Sequence, residues 1–164
     1  MTTSNVIRIF NNVVIPGGAY TGAIQQVSSW VPLTNPVTGL LQAYTDFSVT
    51  ANAVPSGLVQ PIWSLQLLGS NNGGISSFPI LAPAPILDAN GNVVSNSVNS
   101  IMSSNSKVAA WTTRGRHYDP TALPCQGVAF AYLQAIFNLY NPQGAGLTVT
   151  LNVEVTPNIY ASQG

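Results

Sequence analysis

The chain has 164 residues, of which 46% are hydrophobic and only 5% charged; four basic and four acidic residues give a formal net charge of zero. That length suffices for one domain with a hydrophobic core, and the hydrophobicity excludes intrinsic disorder, which needs few apolar residues and high charge. No apolar run approaches the roughly 20 residues of a transmembrane helix, and the scarcity of Lys and Arg argues against direct nucleic-acid binding, which rests on clustered cations.

From the N-terminus, Val6–Ile15 holds two β-prone pieces, VIRIF and VVI, split by Asn11-Asn12 and stopped by Pro16-Gly17-Gly18. An edge strand or arm fits, with residues 1–12 as the arm. Residues 19–33 predict a strand, although Ile24, Val27 and Val31 have near-helical spacing. Pro32, Asn35-Pro36 and Gly39 mark turns. Alternation resumes at Leu40–Ala53, where Phe47, Val49 and Ala51 face one way and Asp46, Ser48 and Thr50 the other. After Pro55-Ser56-Gly57, IWSLQLL puts Trp63, Leu65 and Leu67 on one face. Gly69–Gly74 reads as a loop. Pro79, Pro83 and Pro85 limit Ile75–Leu87 to an edge strand or an extended connection, because proline cannot donate to a ladder.

Asp88–Asn92 is a tight-turn signal leading into Val93-Val94. Ser95–Ser106 reads as a Ser/Asn-rich surface segment with at most one helical turn. KVAAWTT, from Lys107, predicts another strand, and Arg114–Gln126 predicts a loop. The most regular stretch comes last. In AFAYLQAIFNLY, Ala131, Leu133, Ala135, Phe137 and Leu139 share one face; Phe130, Tyr132, Gln134, Ile136, Asn138 and Tyr140 share the other. In LTVTLNVEVTP, Leu147, Val149, Leu151, Val153 and Val155 alternate with polar residues. With NPQGAG between them, the two runs predict a long antiparallel hairpin. Residues 158–164 read as a tail. Many short strands punctuated by Gly, Pro and Asn predict one all-β domain over 1–164, a single antiparallel β-sandwich or jelly-roll barrel.

Catalytic inventory is thin. The RGRHYDP segment gathers Arg114, Arg116 and His117, the chain's one histidine, beside Asp119. It suits an anion contact or an inter-subunit ion pair, against the plainer reading of a solvated loop whose ion pairs contribute about 0–1 kcal/mol. No nucleophile elbow is present, and the acidic residues Asp46, Asp88, Asp119 and Glu154 are scattered. Cys125, the single cysteine, excludes an internal disulfide and a Cys-rich zinc site and reads as a small buried hydrophobe. Asp88–Asn92 lacks the further ligands of a calcium loop. The expectation is no enzyme, no metal and no cofactor. The N-terminal stretch lacks the apolar core of a signal peptide, so synthesis in a cytoplasm is expected.

Two segments together, PIWSLQLLGSNNGG (from Pro61) and AFAYLQAIFNLYNPQGAGLTVTLNVEV (from Ala129), resemble those of small β-sandwich structural proteins of bacteriophages. The resemblance covers about half the chain and departs from it at Phe78–Pro85 and at RGRHYDP. It implies a virion protein: a capsid subunit of the jelly-roll type, a decoration protein or a tail component, made in a host cytoplasm. Partners would be copies of itself and other virion proteins. Few charges on a β-rich chain fit the same expectation, since a neutral surface lacks the self-repulsion that keeps copies apart. Subunit contacts are expected at Arg114, Arg116, His117, Tyr132, Tyr140 and Tyr160, and the arm and tail are candidates for reaching a neighbour. The alternative is a carbohydrate-binding β-sandwich using Trp30, Trp63 and Trp111.

Overall fold

The computed structural model describes residues 6–18, 23–80, 84–87, 92–97, 100–104, 107–112 and 129–157. Among them are twelve strands and no helix: β1 (Ile7–Pro16), β2 (Ile24–Val27), β3 (Val31–Pro32), β4 (Phe47–Pro55), β5 (Trp63–Ser70), β6 (Phe78–Pro79), β7 (Ala84–Leu87), β8 (Val93–Ser97), β9 (Ser100–Ser104), β10 (Val108–Thr112), β11 (Tyr132–Leu139) and β12 (Thr148–Pro157). Two antiparallel sheets pack face to face. Sheet A has the order β1-β12-β4-β10. Sheet B has the order β2-β11-β5-β6, with β3 also paired to β11 and β9 to β5; β7 and β8 form a separate ribbon. The fold is the expected all-β class, built as a β-sandwich.

The period-two faces read from the sequence make the core. Phe47, Val49, Ala51 and Ala53 on β4 and Val149, Leu151, Val153 and Val155 on β12 turn inward from sheet A. Trp63, Leu65 and Leu67 on β5 and Leu133, Ala135, Phe137 and Leu139 on β11 meet them from sheet B. The Trp63 and Phe137 rings lie 5.5 Å apart at a tilt of 32°. Fully burying each large side chain contributes about 1.5–3 kcal/mol, so these four strands carry much of the stability.

The long hairpin, however, does not form. β11 pairs with β5 along its whole length, from Tyr132↔Ser70 to Leu139↔Trp63. β12 pairs instead with β4 and β1 in the opposite sheet. The connecting residues cross from one sheet to the other. Alternation fixes which face of a strand is buried, and both arrangements bury the same faces; the ladder partner is set elsewhere. Here Asn141 is spent on the β4–β5 loop, accepting from Ile62 N and donating to Gln60 O. Gly17 N donates to Leu147 O and Gly18 N to Gln143 O, tying the same crossing to the end of β1.

Other readings hold in part or change. VIRIF and VVI join as one edge strand of sheet A, as expected, but its ladder with β12 shifts register between Arg8 and Phe10 and again between Phe10 and Val13. Asn12, at φ 51°, takes up the irregularity, its N–H donating to Asn152 Oδ1. The shift reverses the alternation, so Phe10 is buried although it sits two residues from exposed Arg8. Phe130 also leaves its expected face. A bend at Ala131 turns it into the core, where its ring covers Gly69. Ser95–Ser106, expected as an irregular surface segment, contains strand instead: β8 pairs with β7, and β9 pairs with β5 at Ser64↔Ser103 and its neighbours. A backbone ladder needs no apolar side chains, which is why its Ser-rich sequence concealed it. The turn signal at 88–91 lies outside the described residues, but Leu87↔Val93 pairing brings its two flanks together.

Candidate assembly surfaces

The charges are distributed unequally. Within the described residues they are Arg8 on β1, Asp46 just before β4, Lys107 just before β10 and Glu154 on β12, all in or beside sheet A. Arg8 Nε lies 3.3 Å from Glu154 Oε1 on the solvent face of that sheet. Sheet B has none: β2, β3, β5, β6, β9 and β11 contain no Asp, Glu, Lys or Arg. Asp46 is buried, and its Oδ1 has no hydrogen-bond partner among the described residues.

Sheet B's outer face is built on β11. Tyr132, Gln134, Ile136, Asn138 and Tyr140 point away from the core and are all half-buried. Ile136 lies across from Val27 on one side and Gln66 on the other; Asn138 lies between Gln25 and Ser64; Gln134 lies beside Leu68. Several polar groups are partly satisfied within the face. Gln25 Nε2 donates to Asn138 Oδ1 at 3.1 Å, Gln134 Nε2 donates to Ser28 O at 2.9 Å, and the Tyr140 and Ser64 hydroxyls are 2.7 Å apart. Ser28 joins the short strands β2 and β3. Its N–H donates to Ala135 O and its Oγ accepts from Ala135 N, so β11 keeps its bonds through the break.

The loops at the two ends of the sandwich carry exposed aliphatic side chains on hydrogen-bonded frames. At one end, residues 34–41 form a small hairpin in which Asn35 Oδ1 accepts from Val37 N and Thr38 N, and Gly39, at φ 69°, closes the turn onto Asn35 O. Val37 is 86% exposed and Leu40 69%. At the other end, the β4–β5 loop is held by Asn141, and by Gln143 Nε2 donating to Val59 O. Leu58 on that loop is fully exposed, and Val59 beside it is 57% exposed. Each loop thus holds a pair of aliphatic side chains in water at its end of the sandwich.

Of the residues singled out from the sequence, Tyr132 and Tyr140 lie on one strand face, as the alternation places them. Arg114, Arg116, His117 and Tyr160 lie outside the described residues, as do Cys125 and the tail 158–164. Residues 7–12 of the proposed arm are paired to β12 as part of sheet A. Trp63 is fully buried in the core, while Trp30 is half-buried beside Gly74. The aliphatic tips Val37, Leu40 and Leu58 were missed because they sit in segments rich in Pro, Gly and Asn that read as turns. Their one signal was an apolar residue where a turn is normally polar. Among the described residues no three His, Cys, Asp or Glu side chains come together, and no helix is long and apolar enough to cross a membrane.

No protein-family model matches the chain, and no curated protein matches it. Among solved structures it is similar to a chain from the structure of infectious bursal disease virus Gx strain, at 10% identity and a TM-score of 0.30, covering 95% of this chain and 41% of that one. The chain thus spans less than half the length of that viral chain.

Proposed function

We propose that this protein is a non-enzymatic structural subunit of a virus particle, a capsid or capsid-decorating protein of the bacteriophage kind that its sequence resembles. It acts through assembly with copies of itself and with other virion proteins, and its location is the virion. The observation that carries the reading is the charge-free sheet B, with a half-buried Tyr/amide/Ile face, between end loops that hold aliphatic side chains in solvent. Soluble monomers normally place charges on such surfaces to resist association. A protein whose task is interfacial gains from their absence, since burying a charge at a contact is costly unless it is paired.

Electron microscopy with light scattering on the purified chain tests this. Rings, shells or filaments are expected, growing with protein concentration. A chain that stays monomeric at every concentration, and whose tryptophan fluorescence is quenched by a glycan from a broad panel, would replace assembly with carbohydrate binding.

A further inference from the structure

The outward residues of β11, with Tyr140 just past its end, read the same in both directions about Ile136: Tyr132, Gln134, Ile136, Asn138, Tyr140, that is, Tyr, amide, Ile, amide, Tyr. We propose that sheet B is an isologous contact between two copies of this chain, packed face to face about a two-fold axis that passes by Ile136 and runs perpendicular to β11. The proposal rests on the assembly reading above and specifies its surface and its partner.

A two-fold axis at that position lays β11 antiparallel over β11 of the second copy. Ile136 then meets Ile136, and each Tyr132 end meets a Tyr140 end. The amides decide the match. Gln134 has spent an amide N–H on Ser28 O, and its Oε1 has no partner among the described residues. Asn138 has spent Oδ1 on Gln25 Nε2, and its own Nδ2 has no partner among them. The axis places Gln134 of one copy against Asn138 of the other, twice, so an open acceptor faces an open donor each time. Val27 and Leu68 flank the centre and add apolar area. No charge on sheet B opposes its own copy, so the face is electrostatically complementary to itself. Sheet A is a poorer partner for itself, since its outer face carries the exposed Arg8–Glu154 pair and would have to desolvate it.

Two experiments test the surface by a route that does not depend on one variant folding. In a Cys125→Ser background, Ile136→Cys treated with a short bis-maleimide gives a covalent dimer, because sheets packed face to face are about 10 Å apart. Thr150→Cys, on the outer face of sheet A, gives none. In the second experiment, Gln134→Lys with Asn138→Glu keeps the dimer and makes it salt-sensitive, because each Lys faces a Glu of the other copy. Gln134→Lys with Asn138→Lys weakens it by about tenfold or more, which is 1.4 kcal/mol or above. Sedimentation reads both. If the wild type self-associates while Thr150→Cys cross-links and Ile136→Cys does not, or while the two double variants behave alike, the sheet B contact is overturned and assembly stands. If the wild type remains a monomer throughout, both fall.

Discussion

Gly69→Ala tests how tightly the end of the core is built. Gly69 lies on β5 beneath the Phe130 ring, and a methyl group there would sit 2.3 Å from Phe130 Cγ and 2.4 Å from Cδ2. The ring cannot back away cheaply. Its backbone is bonded to Tyr44 in both directions at 2.9 Å, and the next N–H, of Ala131, donates to Asn71 Oδ1 at 2.8 Å. Replacing a strand glycine with alanine by itself stabilises by about 0.5–1 kcal/mol. Overpacking a closed core costs about 1–3 kcal/mol, and this site, pinned on both sides, belongs at the upper end. The net expectation is a loss of about 1–2 kcal/mol, or roughly 2–8 °C in Tm for a chain of this length. Removing the ring isolates the cause. Phe130→Ala is strongly destabilising alone, but in that background Gly69→Ala becomes neutral or stabilising, a coupling of about 1–3 kcal/mol. Urea unfolding of the four proteins, followed by far-ultraviolet circular dichroism, measures the cycle. A Gly69→Ala protein as stable as the wild type, or additive effects in the double variant, would refute the reasoning.

Other expectations are as specific. Burial raises the Tyr44 phenol above its ordinary value. Its neutral form is therefore favoured by folding: the stabilisation is present below the unfolded pKa of about 10 and is lost as pH rises through the folded value. Alkaline unfolding should begin above that pH and be shallower in Tyr44→Phe, as read by chemical denaturation across a pH series. Asn141→Ala leaves the Ile62 N–H without its acceptor beside a buried residue and should cost about 1–3 kcal/mol in urea unfolding. Leu58→Ser removes a side chain that is fully exposed, so stability should stay within about 0.5 kcal/mol. Any assembly contact made by that loop should nevertheless weaken, which light scattering reads; a Leu58→Ser protein that unfolds more easily would mean that Leu58 packs within its own chain.

Period-two alternation made the buried faces of β4, β5, β11 and β12 legible in the sequence, because a side chain's face depends only on its own strand. Pairing depends on another strand, and alternation is silent about it. That is why the two most regular runs looked like a hairpin and proved to belong to opposite sheets. Phe10 and Phe130 escaped for a related reason: a register shift and a bend each displace the period by one residue, and neither has a residue type that announces it. The proposed contact face on β11 was half legible. Tyr132 and Tyr140 stood out as aromatic residues on the polar side of a strand, but the symmetry about Ile136 acquires meaning only once that face is known to lie outside the core. The loop tips at Val37 and Leu58 were hidden by the turn residues around them.

The pairing of β1 with β12 has a consequence for how the molecule is made. Asn12 and Asn152, which bond to each other, are 140 residues apart. At synthesis rates of about 5–20 residues per second, β1 waits on the order of ten seconds for its partner to emerge. During that time β4 lacks its ladder partner β12 and the inward side of sheet A lacks β11 across from it, so the apolar surface that will become the core is open to other nascent chains. Folding dominated by such distant pairings is slow. The chain therefore passes through its most aggregation-prone stage before its core can close, and its yield should depend on temperature and on chaperone supply more steeply than the stability of the finished sandwich would suggest.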